Sequence, residues 1–432
     1  MLRFGHMEIE LAFGKTGLRV ALPDGVRYRV LEARSAQAVE NPQAAIEQAL
    51  DAPVEAPPIE ELARGKRSAA ISVCDITRPA PNRVVLPPLL KRLEKAGIPR
   101  DRITILIATG LHRPATAEEI HQIVGPEIES AYRIENHHAR ELSEHRFLGK
   151  TAAGTPVYID ERFVSADLRI TTGFIEPHFM LGFSGGRKLI VPGIAAKETI
   201  QAIHGPGFMA NPKSIEGSIE DNPLHTELVE IARMAGHDFV IDTSLTRDRR
   251  IAGVFAGHPE KAHRKGVEFV SKVMLETLDE PVDAVITTAA GYPLDLTFYQ
   301  AIKGVTAASQ IVKPGGTILL FAECAEGPGA AEFSSMLNRF SSAGEFLDHI
   351  AKAPVEVDQW NLQKLAQVRK KAEILFYVPG VPSEYYPTFW GKTYTSAAEA
   401  VSALLARVPK DASVAVIPEG PYVLAKARAA NS

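Results

Sequence analysis

Short apolar runs and amphipathic runs take turns along this chain from residue 68 onward, and that alternation limits the folds open to it. Residues 68–74 form an almost unbroken apolar run, the pattern of a strand buried on both faces. Residues 84–96 repeat apolar positions at helical spacing and stop at Gly97. Residues 103–108 are again strand-like. Residues 116–124 read as a helix with Glu118 and Glu119 in its first turn, where carboxylates meet the positive end of the helix dipole. A strand over 168–172 and a helix over 196–203 continue the series. Parallel neighbours need a crossover, usually a helix, whereas antiparallel neighbours need only a hairpin. Strand–helix–strand order therefore predicts parallel sheets covered by helices.

A second block repeats the scheme. A charged helix is expected over 260–277, a strand over 283–287, and a helix over 298–312 closed by Pro314-Gly315-Gly316. Strands are expected over 317–322 and 413–418, with helices around 345–351, 362–371 and 397–408. Ahead of both blocks, residues 1–55 read as alternating strands, with period two at Arg27-Tyr28-Arg29-Val30 and a proline-rich connector over 53–58. The predicted fold class is α/β: two α/β domains with mainly parallel sheets, 1–275 and 276–432, and the active site in the interdomain cleft.

Composition removes several functions. At 432 residues and 45 % hydrophobic, the chain can bury a core without disulfides or structural metal. Basic and acidic residues number 48 and 52, so no basic field for nucleic acid is expected. Two cysteines, Cys74 and Cys324, rule out a disulfide framework and a cysteine-rich metal site. No apolar run approaches the roughly 20 residues of a membrane span, and no signal-peptide core is visible, so a cytoplasmic enzyme without membrane partners is expected. Residues 1–6, ahead of Met7, read as an addition to the native chain.

Ligands of an open parallel sheet gather at the carboxyl ends of its strands, and the unusual residues sit there. Strand 68–74 runs into Asp75-Ile76-Thr77-Arg78-Pro79. Asp75 and Arg78 can face one ligand, and Thr77 with nearby backbone N–H groups suits an anion; a stiff turn with an Asp cap is the alternative. Strand 103–108 runs into Thr109-Gly110-Leu111-His112-Arg113, where His112 is free to transfer protons or to be merely solvated. Glu176-Pro177-His178 precedes Ser184-Gly185-Gly186-Arg187-Lys188. That loop fails the P-loop test, because Arg187 separates the glycines from the lysine and Leu189 follows. Lys188 can still clamp a charge or carry a covalent group; a turn with a solvated Arg–Lys pair is the alternative. His204 ends a short helix before Gly205-Pro206, as a dipole-favoured residue or as an imidazole ligand for nickel, zinc or copper. No H-x-x-x-H pair occurs, which argues against a protein-only zinc site.

In the second block Tyr299, Gln300 and Lys303 fall within about one helical turn. Tyr299 and Lys303 share a face suited to a carboxylate and a hydroxyl, or form a plain helix start. Trp360 can close over a cleft or simply pack. Of the other histidines, His121, His263 and His349 are expected at the surface of charged helices. His137, His138 and His145 are expected in a solvated polar segment, and His225, His237 and His258 near turns.

The order and spacing of these motifs, with Tyr299-Gln300-Ala301-Ile302-Lys303-Gly304, resemble the nickel-pincer-nucleotide-dependent lactate racemases over nearly the whole chain. The resemblance implies that Lys188 is joined covalently to a pyridinium mononucleotide holding nickel in an S–C–S pincer, with His204 as the nickel ligand. It implies that His112 and His178 are the two acid/base residues. Asp75, Ile76, Thr77 and Arg78 would hold the nucleotide, while Arg78, Tyr299, Gln300, Lys303 and Trp360 would bind substrate. The partners implied are a small 2-hydroxy acid and the enzymes that make and insert the cofactor.

The residue types suit that chemistry. The C2 hydrogen beside a carboxylate is a very weak acid, but it can leave as hydride once the hydroxyl loses its proton. The product is a flat 2-keto acid that can receive hydride on its other face. A hydride carrier is required because no side chain can hold hydride, and two histidines near neutral pKa fit a two-sided reaction. A nicotinamide dehydrogenase lacks its G-x-G-x-x-G signature here. A non-catalytic carboxylate-binding protein would leave His112 and His178 without proton-transfer work. Residues near Tyr292, Leu294 and Trp360 are expected to select among lactate, larger hydroxy acids and sugar acids.

Overall fold

The structure, a computed structural model, describes residues 7–428, so the six residues read as an addition lie outside it. Two compact units form, each around a six-stranded sheet. The first holds residues 35–204 and 213–273; the second holds residues 7–34, 205–212 and 274–428.

This division differs from the expected 1–275 and 276–432. The early strand Arg27–Val30 joins the second sheet, parallel to Ser413–Ile417. A period-two pattern marks a strand but does not say which sheet receives it. Residues 205–212 also belong to the second unit. There the Lys364 ammonium donates to the Met209 carbonyl at 2.9 Å, and the Gln363 amide to the Pro206 carbonyl at 3.0 Å. The chain thus leaves the first unit directly after His204.

In the first unit the strand order is Ile251–Gly257, Phe239–Leu245, Leu168–Phe174, Ala69–Cys74, Ile103–Ala108, Arg133–Asn136. All neighbours are parallel except the first pair. Every residue of Ala69–Cys74 is buried, which is why that run is apolar throughout. Helices Pro42–Asp51 and Asn82–Lys95 set Ile46, Leu50, Leu86, Leu89 and Leu93 into one core with Ile71, Val73, Ile105 and Ile170. Each such side chain contributes about 1.5–3 kcal/mol on burial. Helix Ala117–Val124 starts on a reciprocal cap: Thr116 accepts from the Glu119 N–H, and the Glu119 carboxylate accepts from the Thr116 N–H.

Helix Pro42–Asp51 corrects the all-strand expectation for the first 55 residues; Asn41 caps it by accepting from the Ala44 N–H. Strand Phe239–Leu245 was not expected at all. Its centre, Asp242-Thr243-Ser244, is polar yet buried, so no apolar run announces it.

In the second unit the order is Lys392–Thr393, Glu373–Tyr377, Val312–Phe321, Val282–Thr288, Ser413–Ile417, Arg27–Val30, all parallel. Helix Phe298–Ser309 ends earlier than expected because the chain re-enters the sheet at Val312, opposite Val282. Pro314-Gly315-Gly316 therefore lies inside a strand, at a break in register. Helix Pro259–Met274 likewise stops short, and Leu275–Leu278 pairs with Leu424–Ala427.

Each sheet grows outward on one side of its first central strand and later on the other, so each has its own crevice, one at the carboxyl end of Ala69–Cys74 and one at that of Val282–Thr288. Among the described residues no helix is long and apolar enough to cross a membrane.

Candidate active site

Asp75 follows directly on the central strand of the first sheet, and its side chain is buried at 6 % exposure. Its Oδ1 accepts from the Thr77 hydroxyl at 2.6 Å, and its Oδ2 accepts from His112 Nδ1 at 2.8 Å. Burial raises the Asp75 carboxyl, but the bonds from His112 and Thr77 and the charge of Arg78 outweigh it and hold it below the usual range. An ionised Asp75 fixes the His112 proton on Nδ1 and leaves the lone pair on the exposed Nε2. The turn beneath is tied down: the His112 N–H donates to the Thr109 carbonyl and the Gly110 N–H to the Gly193 carbonyl, both at 2.9 Å. Ile76 and Thr77 are exposed and Arg78 is half-buried on the same turn. Asp75, expected beside a nucleotide, is thus engaged with His112.

His178 has the opposite arrangement. Its Nδ1 accepts from the Leu181 N–H at 3.3 Å, so the proton of its neutral ring belongs on Nε2. It lies in the short ribbon Pro177–His178, paired antiparallel with Gly182–Phe183.

The loop that follows is held rigidly. The Ser184 hydroxyl donates to the Phe174 carbonyl at 2.8 Å and accepts from the Glu176 N–H at 2.9 Å. Gly185 and Gly186 have φ of +85° and +47°, and a Cβ on Gly185 would meet Asp242 Oδ2 at 2.8 Å. The Gly186 N–H donates to Asp242 Oδ1 at 3.1 Å. Arg187 is only 4 % exposed, which sets aside the alternative of a solvated Arg–Lys pair. Its guanidinium donates to the carbonyls of Leu181, Phe183, Ser184 and Gly185. Lys188 is half-buried, its N–H on the Gly185 carbonyl and its own carbonyl accepting from the Gly193 N–H.

His204 closes helix Lys197–Ile203, with Nδ1–H donating to the Ile200 carbonyl at 2.7 Å. Burial pushes its pKa down to about 4, helped by the charge of Lys188 and opposed by the Ile200 bond. The ring is therefore neutral, with its lone pair on Nε2, the form in which imidazole ligates a metal. Among the described residues no three His, Cys, Asp or Glu side chains come together to hold a metal. Both cysteines are buried thiols, and burial pushes Cys74 up to about 12. The donor set suits a metal that brings most of its own ligands.

In the second unit Tyr299, Gln300 and Lys303 start helix Phe298–Ser309, which Thr297 caps by accepting from the Gln300 N–H at 3.4 Å. The Gln300 amide oxygen is buried and has no hydrogen-bond partner among the described residues. The Tyr299 ring meets Phe333 edge-on at 5.1 Å, and its carbonyl accepts from the Asn361 amide at 3.1 Å. That bond ties it to helix Gln359–Lys371, where Trp360 is buried at 7 % exposure.

Two histidine expectations need correction. His263 is 3 % exposed, and Arg187 donates to its Nε2 at 2.8 Å. Its charged neighbours Arg264 and Lys265 hid a buried stripe, His263, Gly266, Val267 and Val270, at helical spacing. His137 is 1 % exposed, bonded to Asp160 and to the Ala195 carbonyl, both at 3.0 Å. His237 lies directly after a turn, as expected, and is bonded to Thr171 Oγ1 at 2.9 Å. Asp242, overlooked altogether, had one signal: a carboxylate inside Phe239-Val240-Ile241-Asp242.

Comparison with known proteins shows the family. The family models for the lactate racemase N-terminal and C-terminal domains match residues 13–217 and 278–425. A lactate racemase of Thermoanaerobacterium thermosaccharolyticum is 34 % identical over 423 residues, 97 % of this chain and 99 % of the relative. One of Lactiplantibacillus plantarum is 38 % identical over 388 residues, 89 % and 91 % of the two chains. The structure of the Thermoanaerobacterium thermosaccharolyticum lactate racemase apoprotein superimposes with a TM-score of 0.91 at 33 % identity, covering 97 % of this chain and all of that one. A Thermotoga maritima protein, at 17 % identity and a TM-score of 0.65, shares the fold. The chain belongs to the lactate racemase family and is an isomerase.

Proposed function

We propose that this enzyme racemises or epimerises a 2-hydroxy acid, lactate or a larger relative, with a nickel-pincer nucleotide covalently attached at Lys188. One observation carries the reading: His112 and His178 are held in opposite tautomers by fixed hydrogen bonds. His112 offers a lone pair at Nε2, the state a proton acceptor requires, and the His178 N–H at Nε2 can hold a substrate oxygen until that ring takes up a second proton to become a donor.

His112 Nε2 takes the substrate hydroxyl proton, with Asp75 stabilising the imidazolium that forms. His178, once protonated to the imidazolium, gives a proton to the alkoxide when the opposite face is rebuilt and returns to the neutral ring, and the two exchange roles in the reverse direction. When bound, the cofactor supplies a hydride acceptor at C2. Lys188 would carry it, and neutral His204 would offer its Nε2 lone pair to the nickel. Asp75, Ile76, Thr77 and Arg78 form the turn that receives the nucleotide. Arg78 and Lys303 bind the carboxylate and oxygens of the substrate as cations. Gln300 offers its unpartnered amide oxygen to a substrate hydroxyl, and Tyr299 and Trp360 wall the acid. The enzyme works in the cytoplasm beside the enzymes that make its cofactor.

The test is co-expression with those enzymes, followed by intact mass, nickel content and chiral product analysis on lactate. The parent chain should gain mass and nickel and should racemise. Lys188→Ala should lose all three properties; a Lys188→Ala protein that keeps nickel and racemises would sink the reading.

A further inference from the structure

On the far side of the Lys188 loop, within the first unit, lies a cavity of about 270 Å³ that the proposed reaction does not use. Arg187, His225 and His263 line it, with Arg233 and Arg264 also on its wall. Arg233 is paired with Glu260 at 2.6 Å and Arg264 with Glu220 at 2.9 Å, so the outer cations are compensated. Arg187 is not. It is buried, and among the described residues no ion pair includes it; its four carbonyl partners supply dipoles but no charge. Asp242, whose carboxylate faces the same loop, is pushed up to about 7 by burial and so is only part-ionised at neutral pH.

Two buried polar atoms on this cavity's lining residues lack a partner: Arg187 Nε and His225 Nδ1. Buried donors are normally satisfied and buried charges normally paired. Arg187 Nε is a donor by chemistry, and His225 Nδ1 is one in the corresponding neutral tautomer. Water can satisfy a donor but cannot neutralise a guanidinium. A metal ion is disfavoured by the same positive charge, and no three metal-ligating side chains meet among the described residues.

We propose that this cavity is a second ligand site, for a small oxyanion held by Arg187 Nε and His225 Nδ1. The shared chemistry is that of a carboxylate or of inorganic phosphate. Because Arg187 adjoins Lys188, a bound oxyanion braces the loop that presents the lysine.

Calorimetric titration of the cofactor-free full chain tests this, with sodium phosphate and sodium acetate in separate arms at fixed ionic strength in chloride. At least one probe should bind saturably, and the stronger names the natural class. His225→Phe, which fills the cavity and removes the nitrogen, should weaken binding at least tenfold. Arg264→Glu, an exposed change, should weaken it severalfold without disturbing the core. Arg78→Ala should leave it unchanged, because Arg78 belongs to the other site. Absence of saturable binding by either probe overturns the proposal, as does binding that survives both cavity variants or that Arg78→Ala abolishes. Nickel content and chiral product analysis test the racemase reading separately, so either can fail alone.

Discussion

Asp75 and His112 are 37 positions apart, and the 2.8 Å bond between them sets the tautomer of the ring. Asp75→Asn keeps the shape but removes the charge, and its amide N–H₂ can stabilise the wrong tautomer. The expected result is a fall in turnover of about 10²–10⁴-fold, in line with what misoriented catalytic histidines cost elsewhere. KM should change little, because Asp75 touches the ring rather than the substrate. Stopped assays of kcat and KM check this; activity close to the parent's would mean that Asp75 only supports the turn. His112, His178, Lys188 and His204 were legible because chemistry-bearing residues stood out at strand and helix ends. Their hydrogen-bond partners were not legible, because Asp75 to His112 and Gly186 to Asp242 are contacts between distant segments. Burial misled for the same reason: His263 and Arg187 sit among charged neighbours, and a local reading cannot see what the next element covers.

The element that carries Tyr299, Gln300 and Lys303 is pressed closely onto the sheet. A Cβ at Gly304 would meet the Thr288 carbonyl at 2.1 Å, so glycine is required by contact with a backbone that cannot yield. Gly304→Ala must lift helix Phe298–Ser309 away from strand Val282–Thr288. Overpacking of this kind costs about 1–3 kcal/mol, readable as a lower urea midpoint at unchanged slope. If Gln300 and Lys303 bind substrate as proposed, the same change should raise KM several-fold with a smaller effect on kcat. A midpoint equal to the parent's would show that the helix has slack. This helix starts at Phe298 as expected, but its end was not legible. Pro314-Gly315-Gly316 reads locally as a stop between elements, whereas pairing with Val282 draws Val312 into the sheet first. Strand Phe239–Leu245 escaped because its buried polar residues follow from the site it supports rather than from a β pattern.

The two-sheet α/β architecture followed from alternation alone, but the allocation of chain to units did not, since Arg27–Val30 finds its partner almost 400 residues later. That allocation has a consequence for acid stability. Burial pushes His225 and His237 down to about 3 and His263 well below its ordinary value. In the unfolded chain these rings titrate near 6.5, so at pH 5 the unfolded state holds three protons that the folded state refuses, and stability rises with pH. Asp242 acts in the opposite sense: raised to about 7, it keeps a proton when folded that it gives up when unfolded above about 4. His204, pushed down to about 4, adds nearly one more proton to the unfolded state, so the net difference near pH 5 is about three protons, or about 4 kcal/mol lost per unit of acidification. All five groups lie in the first unit. Both tryptophans, Trp360 and Trp390, lie in the second. On acidification from pH 6.5 to 4, the first unit should therefore open before the second. Far-UV circular dichroism, which sees both units, should begin its loss at higher pH than tryptophan fluorescence, which sees only the second. Coincident transitions would show that the units unfold together, and a flat response across that window would show that the buried histidines are not the groups that take up the protons.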